Sequence, residues 1–101
     1  MPFDQSPNAD PVLQALLTGR ERIADPKNWA QFPAYGINGR WCFGLSVRET
    51  DYWNLASFEA WHALSEEMPR SKNIGDYNDD PLTTHADVLA VLDRAIAKRR
   101  Q

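Results

Sequence analysis

A polar loop, Asp76-Tyr77-Asn78-Asp79-Asp80-Pro81-Leu82-Thr83-Thr84, leads directly into a helix near the end of this chain. Thr84 is a favourable N-cap residue, and Asp87 has the spacing to complete a capping box with it. The following apolar residues have the i, i+3, i+4, i+7, i+8 spacing of one buried helix face: Val88, Val91, Leu92, Ala95 and Ile96. The pattern predicts an amphipathic helix from Thr84 to Arg99, where basic side chains suit the negative end of the helix dipole.

A first helix is predicted to begin at Asp10-Pro11, where an N-cap residue precedes a proline that suits the first helical position. Its apolar stripe consists of Leu13, Leu16, Leu17, Ile23 and Ala24. Gly19 weakens this helix by about 1 kcal/mol relative to alanine. Residues 1–9 are polar and contain two prolines. We therefore expect a disordered lead-in followed by one globular domain, residues 10–101.

A further helix is expected after Asp51, which suits an N-cap position, and before Pro69. One side of this helix carries Trp53, Ser57, Ala60, Trp61, Leu64 and Met68. Between it and the last helix, residues Pro69–Asp80 are predicted to form a polar connection, with Ile74 and Tyr77 as its large apolar anchors.

The segment between the first two helices has two interpretations. Asn38-Gly39 is a strong hairpin signal, and the residues after it alternate in the period of a strand, with the larger side chains at Trp41, Phe43, Leu45 and Val47. A lone hairpin is marginal in water, so it would have to lie against the helices. We expect a small, mainly α-helical single domain of about three main helices. A short β-hairpin or an irregular aromatic segment would separate the first two.

The composition argues against several classes of function. The 101 residues include 11 basic and 14 acidic side chains, a net charge of −3, whereas nucleic-acid binding normally requires a basic face. Cys42 is the single cysteine, so neither an intramolecular disulfide nor a multi-cysteine zinc site can form. The sequence has no secretory apolar region and no apolar run near the ~20 residues of a membrane span. These features predict a soluble cytoplasmic protein with no cofactor and no membrane association.

Four stretches, taken in this order, carry a family resemblance: Trp29-Ala30-Gln31, Cys42-Phe43-Gly44, Asn78 to Thr84, and the Val-Leu-rich residues 87–96. Together with the N-terminal amphipathic helix, they resemble an uncharacterised bacterial and phage family of unknown function, the 6197-like family. The resemblance covers most of residues 12–97, and its last third is the specific part. At Cys42-Phe43-Gly44 the chain is one residue shorter than the family pattern, which looks helical there. The resemblance implies a helical architecture and brings no established activity.

The acidic loop offers oxygen ligands for a calcium ion. The candidate ligands fall at positions 1, 3, 5 and 12 of a calcium-binding loop: Asp76, Asn78, Asp80 and Asp87. Position 6, where the sharp turn requires glycine, is Pro81, and position 12 is an aspartate where glutamate is usual.

A structural role for the same loop is the alternative. In this interpretation Asn78 and Asp79 bond nearby backbone amides, as Asx turns do, and the loop holds the last helix in place. The residues of this structural loop are Asn78, Asp79, Pro81 and Thr84.

Cys42 is the one nucleophile that could be paired with a histidine, either His62 or His85. A catalytic thiolate needs a lowered pKa, supplied by a helix N-terminus or an adjacent imidazolium. A cysteine between Trp41 and Phe43 also has the pattern of a small buried hydrophobic residue.

Aromatic residues are the remaining candidates for a functional surface. Tyr52, Trp53 and Phe58 spread over more than one side of their predicted helix, which fits either a helix buried on several sides or a patch that contacts a partner. With no catalytic motif, no basic face and no metal set, we interpret the chain as a non-catalytic protein-interaction or accessory module, of the kind carried by phages and other mobile elements. Its expected partner is another protein with a basic surface. A small cysteine-dependent hydrolase and a calcium-stabilised domain are the alternatives.

Overall fold

The structure, a computed structural model, describes residues 10–32, 34, 39–48, 54–69 and 72–100. These residues form four α-helices: α1 (Pro11–Arg22), α2 (Leu55–Ser65), α3 (Ile74–Asp79) and α4 (His85–Arg99). Single-turn 3-10 helices at Pro26–Asn28 and Leu45–Val47 lie in the described part of the segment between α1 and α2. The predicted small, mainly helical fold with three main helices is confirmed. The predicted lead-in, residues 1–9, lies outside the described residues.

Helix α1 begins as its sequence predicts. The Asp10 carboxylate accepts the backbone N–H groups of Val12 at 3.1 Å and Leu13 at 3.3 Å, and Pro11 occupies the first turn, where its missing N–H costs nothing. The helix ends at Arg22, and the next residue, Ile23, is fully buried in the core.

Helix α4 has the predicted capping box. The backbone N–H of Asp87 donates to Thr84 Oγ1 at 3.1 Å, while the N–H of Thr84 donates to Asp87 Oδ2 at 2.9 Å. Two donors that the first helical turn leaves unpaired are thereby satisfied. The predicted apolar face is buried at all five positions: Val88, Val91, Leu92, Ala95 and Ile96.

Helix α2 begins later than the sequence suggested. Its N-cap is Asn54, whose side-chain oxygen accepts the backbone N–H of Ser57 at 2.8 Å, and the expected cap Asp51 lies outside the described residues. Ser57, Ala60 and Leu64 form its buried face.

No strand occurs in the described part of the segment between α1 and α2, so the irregular alternative describes it. Trp41 forms an isolated parallel bridge with Trp29. In this bridge the N–H of Ala30 donates to the Trp41 carbonyl at 3.0 Å, and the N–H of Trp41 donates to the Asn28 carbonyl at 2.8 Å. Trp41 therefore pairs with residues that follow α1. The chain then turns into the 3-10 helix Leu45–Val47.

The predicted polar connection Pro69–Asp80 contains a short helix that the sequence did not indicate, α3, while both predicted apolar anchors pack inward. The side chain of Asn73 caps α3 by accepting the N–H of Asp76 at 2.8 Å. Ile74 is buried, and the Tyr77 ring packs edge-on against Phe43 at 5.9 Å between ring centroids. The helix has six residues, too few to show an apolar period in the sequence.

Helix α1 packs against α2, α4 and the 3-10 helix Leu45–Val47. Gly19 makes the last of these contacts possible: a Cβ atom there would lie 2.7 Å from Val47 Cγ1 and 2.9 Å from Ser46 Oγ. The glycine that weakens α1 locally is thus required by packing. No helix in the described ranges is long and apolar enough to cross a membrane.

Candidate functional site

Asn78 is fully buried at the end of α3 and joins this helix to the segment that follows α1. Its Oδ1 atom accepts the indole N–H of Trp29 at 2.7 Å and the backbone N–H of Phe43 at 3.1 Å. Its Nδ2 atom donates to the carbonyl of Ala30 at 3.0 Å. The sequence suggested that Asn78 bonds nearby backbone amides, whereas these three partners lie 35 to 49 residues away.

Asp79 and Asp80 bind the two residues after Ala30. The Asp79 carboxylate accepts the backbone N–H of Phe32 at 2.9 Å. The side-chain amide of Gln31 donates to the backbone carbonyl of Asp80 at 2.7 Å. Lys72 forms an ion pair with the Asp80 carboxylate. The chain around Phe32 is therefore held along the carboxyl end of α3.

A tight turn follows at Pro81 and Leu82. The Asp80 carboxylate accepts the N–H of Leu82 at 2.8 Å, and the Asp80 carbonyl accepts the N–H of Thr83 at 2.9 Å. The Asx turn of this loop therefore centres on Asp80. Thr83 is buried and Thr84 caps α4, so the chain is held on both sides of Leu82.

Two large apolar side chains are exposed at this place. Leu82 is 86% exposed and Phe32 is 70% exposed. Their backbone N–H groups are nevertheless held, that of Leu82 by the Asp80 carboxylate and that of Phe32 by the Asp79 carboxylate. We name Phe32, Leu82, Asp79 and Asp80 the Phe32–Leu82 surface. Residues 76–87 contain four aspartates and no lysine or arginine, so the surface is acidic as well as apolar.

A second exposed apolar pair lies on α2. Leu55 is 75% exposed and Phe58 is 51% exposed. The two residues are three positions apart, which places them on one face of the helix. Phe58 is one of the binding residues predicted from the sequence, and the other two, Tyr52 and Trp53, lie outside the described residues.

The surroundings of Cys42 do not favour a thiolate. The residue is half-buried, and burial raises the pKa of its thiol, which favours the neutral form. His85 Nε2 donates to the carbonyl of Ile23 at 2.6 Å, and His62 is exposed on α2. The hydrogen bonds of the described residues pair neither histidine with Cys42.

Three of the four candidate calcium ligands have other roles in the structure. Asp76 is exposed near the start of α3, and the side-chain oxygen of Asn78 already accepts two hydrogen bonds. Asp80 pairs with Lys72, and Asp87 belongs to the capping box. Within the described residues, no three His, Cys, Asp or Glu side chains come together as a metal site.

Comparison with known protein families identifies the family of this chain. Residues 7–98 match the model of a family of unknown function, DUF6197. The chain belongs to the DUF6197 family. The resemblance inferred from the sequence is confirmed. The region matched to DUF6197 contains α1, α2, α3, all but the last residue of α4, and the Phe32–Leu82 surface. Comparison with curated proteins and with solved structures gave no match.

Sequence reasoning gave no functional role to Phe32, Gln31 and Leu82 in this DUF6197 chain. The available signal was a large apolar residue, Leu82, directly after a proline in an otherwise polar and acidic loop. Phe32 carried no such signal, because its position beside Asp79 depends on a contact between residues 47 positions apart.

Proposed function

We propose that this protein is a non-catalytic interaction module that binds another protein through the Phe32–Leu82 surface. The observation that carries the proposal is the exposure of Leu82, at 86%, on a turn held by hydrogen bonds that Asp80 accepts from the N–H groups of Leu82 and Thr83. Large apolar side chains grouped on a surface are typical of interaction sites. Phe32 adds an aromatic ring, a side-chain type enriched at the energetic centres of interfaces.

The backbone hydrogen bonds of this surface favour tight binding. Asn78 joins α3 to Trp29 and Phe43, and Asp79 holds Phe32, so the two apolar side chains stand on one connected network. A surface that is ordered before binding loses less conformational entropy on association. The network thus supports a docking role for the side chains that it presents.

The charge of the surface indicates the chemistry of the partner. Aspartates flank the apolar side chains, and the Lys72 ion pair offsets one of them, Asp80. A complementary partner would have an apolar pocket for Leu82 and Phe32, with lysine or arginine residues around it. Such complementarity raises association rates and selects among partners.

Two observations argue against the alternative of a cysteine hydrolase. The pKa of the Cys42 thiol is raised by burial, whereas a nucleophile needs it lowered. His85, one of the two candidate bases, donates to a backbone carbonyl. A cysteine hydrolase therefore lacks support from the described contacts.

A pull-down from a lysate of the source organism tests the proposal with three forms of the tagged protein. These are the wild type, the double variant Phe32→Ala/Leu82→Ala, and the matched double variant Leu55→Ala/Phe58→Ala on α2. Each pair removes one exposed phenylalanine and one exposed leucine, so the two variants lose similar apolar area at different places. Circular dichroism establishes that all three forms are folded.

We expect one stoichiometric partner that the wild type and the α2 variant retain and the Phe32→Ala/Leu82→Ala variant loses. The purified partner should then bind less tightly at higher salt, because exposed charges are screened. Loss of the partner in the α2 variant alone would move the interaction to the surface that contains Phe58. The absence of any stoichiometric partner would overturn the proposal.

A further inference from the structure

A groove of about 410 Å³ lies between α1, the 3-10 helix Leu45–Val47 and the beginning of α2, away from the Phe32–Leu82 surface. Its apolar lining includes Pro11, Ala15, Val47 and Ala56. The charged side chains among its described lining residues are both cationic, Arg22 and Arg48. Grooves of this volume and composition hold small organic molecules in many proteins.

Arg48 has an unusual hydrogen-bonding state. Its Nε atom is buried and has no acceptor, and no carboxylate of the described residues forms an ion pair with it. The guanidinium lies 5.9 Å from the ring centroid of Trp41, a contact that uses its charge and leaves the Nε–H without an oxygen acceptor. A buried donor without an acceptor is costly, and such groups in folded proteins call for a missing partner.

Arg22 holds the backbone of Arg48 at the groove. Its Nη1 atom donates to the carbonyl of Ser46 at 2.9 Å and also to the carbonyl of Arg48. The Arg22 guanidinium lies 4.7 Å from the centroid of the Trp41 ring. The Trp41 ring therefore lies close to both guanidinium groups.

The beginning of α2 adds to the positive potential of the groove. Asn54, Ala56 and Ser57, the N-cap and first-turn residues of this 11-residue helix, line it. The backbone N–H groups of a first helical turn carry partial positive charge and favour anions. Two arginines and one helix N-terminus thus contribute positive potential to the same groove.

We propose that this groove binds a small organic acid. Its carboxylate or phosphate group accepts hydrogen bonds from the Arg48 guanidinium, and its apolar body lies against Ala15, Val47 and Ala56. Arginine binds both kinds of oxyanion through charge-assisted hydrogen bonds.

Three probes separate the contributions of charge and apolar contact. Benzoate carries both a carboxylate and an apolar ring, benzyl alcohol carries a similar ring without charge, and inorganic phosphate carries charge without a ring. Each is titrated into the full-length ¹⁵N-labelled protein at constant ionic strength, and amide chemical shifts are followed. Chloride at equal ionic strength is the control for non-specific screening.

We expect saturable shifts with benzoate at the amides of Ala15, Val47, Arg48 and Ala56. Benzoate should bind roughly tenfold more tightly than benzyl alcohol, because hydrogen bonds to a charged group are stronger than neutral ones. Phosphate that saturates more tightly than benzoate would identify phosphate esters as the ligand class, and the reverse order would identify carboxylic acids.

Variants assign the effect to the guanidinium. Arg48→Gln should abolish the saturable binding of benzoate, and Arg48→Lys, which keeps the charge but lacks the planar guanidinium, should weaken it severalfold. Arg40→Gln removes one charge at an exposed position that is not among the described lining residues of the groove and should leave binding unchanged.

Several results would overturn the proposal. They are shifts that never saturate in the wild type, saturation that maps elsewhere in the chain, or equal weakening by Arg40→Gln and Arg48→Gln. If Arg48→Gln fails to fold, the wild-type titration and the Arg48→Lys variant still decide the question. None of these results depends on the partner proposed for the Phe32–Leu82 surface, because each titration uses the isolated protein.

Discussion

The indole N–H of Trp29 donates to the side-chain oxygen of Asn78 at 2.7 Å, across 49 residues of sequence. This bond joins the turn after α1 to the end of α3, and the same oxygen accepts the backbone N–H of Phe43. One buried amide thereby satisfies donors from two separate parts of the chain. The positions of Phe32 and Leu82 follow from this arrangement, since both are bound to the two residues after Asn78.

Substitution of Asn78 by alanine should destabilise the protein strongly. The variant leaves the N–H groups of Trp29 and Phe43 without their acceptor and opens a small cavity, so the free energy of unfolding should fall by roughly 2–4 kcal/mol. Urea denaturation measures this change. Asn28→Ala is the matched control, because Asn28 is exposed and should lose less than about 0.5 kcal/mol. Similar losses in both variants would contradict a special role for Asn78.

Gly19→Ala and Gly75→Ala should have opposite effects. A Cβ at Gly19 would lie 2.7 Å from Val47 Cγ1, so alanine should cost roughly 1–3 kcal/mol despite its better helix propensity. A Cβ at Gly75 would lie 3.5 Å from Asn73 Oδ1, an ordinary van der Waals distance. Alanine there should therefore stabilise the protein by roughly 0.5 kcal/mol through its better helix propensity. Thermal melts of the two variants provide the comparison, and stabilisation by Gly19→Ala would exclude the tight contact.

Removal of the Thr84 hydroxyl should weaken the beginning of α4. Thr84→Ala loses the hydrogen bond to the N–H of Asp87 and should lower the free energy of unfolding by about 1 kcal/mol. Thr84→Ser keeps the hydroxyl and should remain near the wild type. Because the capping box is one unit, Thr84→Ala and Asp87→Ala together should cost less than the sum of their separate effects in a double-mutant cycle. Additive costs would indicate that the two bonds act independently.

Glu67 should make stability depend on pH in the acid range. Its carboxylate, 7% exposed, lies 2.6 Å from Lys98 Nζ and 3.1 Å from Arg94 Nε, joining the end of α2 to α4. The hydrogen bond from Lys98, followed by that from Arg94, lowers the pKa of Glu67 below its ordinary 4.5, against the opposing effect of burial. The folded state therefore binds this proton less readily than the unfolded chain does. The stability gained is complete above the unfolded pKa and is lost as pH falls through the folded pKa.

Glu67→Gln should accordingly lower the free energy of unfolding by about 1 kcal/mol at pH 7, with the difference from wild type shrinking as the solution is acidified. Urea titrations at a series of pH values measure it. Glu66→Gln changes an exposed neighbour and should have little effect at any pH. A difference that persists unchanged at acid pH would show that the ion pairs are not its source.

Cys42 should react slowly with thiol reagents in the native state. Burial raises the pKa of its thiol, and only the thiolate reacts. Labelling at neutral pH should be at least about tenfold faster in urea than in buffer, because unfolding exposes the thiol and returns its pKa to the ordinary range. Fast labelling of the native protein would support the alternative that Cys42 is the nucleophile of a hydrolase.

Local signals in the sequence were sufficient for α1 and α4. The cap Asp10, the proline at the first helical position and the Thr84–Asp87 capping box act within one helical turn, so their partners are visible as spacing in the chain. The buried face of α4 was equally readable, because a helix repeats its orientation every 3.6 residues or so. Such features depend on neighbours in sequence.

Interactions between distant residues were not readable in this way. Trp41 had the alternation of a strand, yet it pairs with Trp29. Asn78 had the composition of an Asx turn, yet three of its side-chain hydrogen bonds join residues 35 to 49 positions away. Helix α3 is too short to show a period. Its position depends on the contact of Tyr77 with Phe43 and on the burial of Ile74.

The sequence by itself determined a small helical domain, two of its helix beginnings and the buried face of its last helix. Only the tertiary structure decided that Phe32 and Leu82 are both exposed and that Arg48, which lines a groove, has a buried Nε–H without an acceptor. The reason is physical: caps and amphipathic periods arise from bonds and geometry within a few residues. The exposure of a side chain and the acceptor of a buried donor depend on which distant segments pack against it.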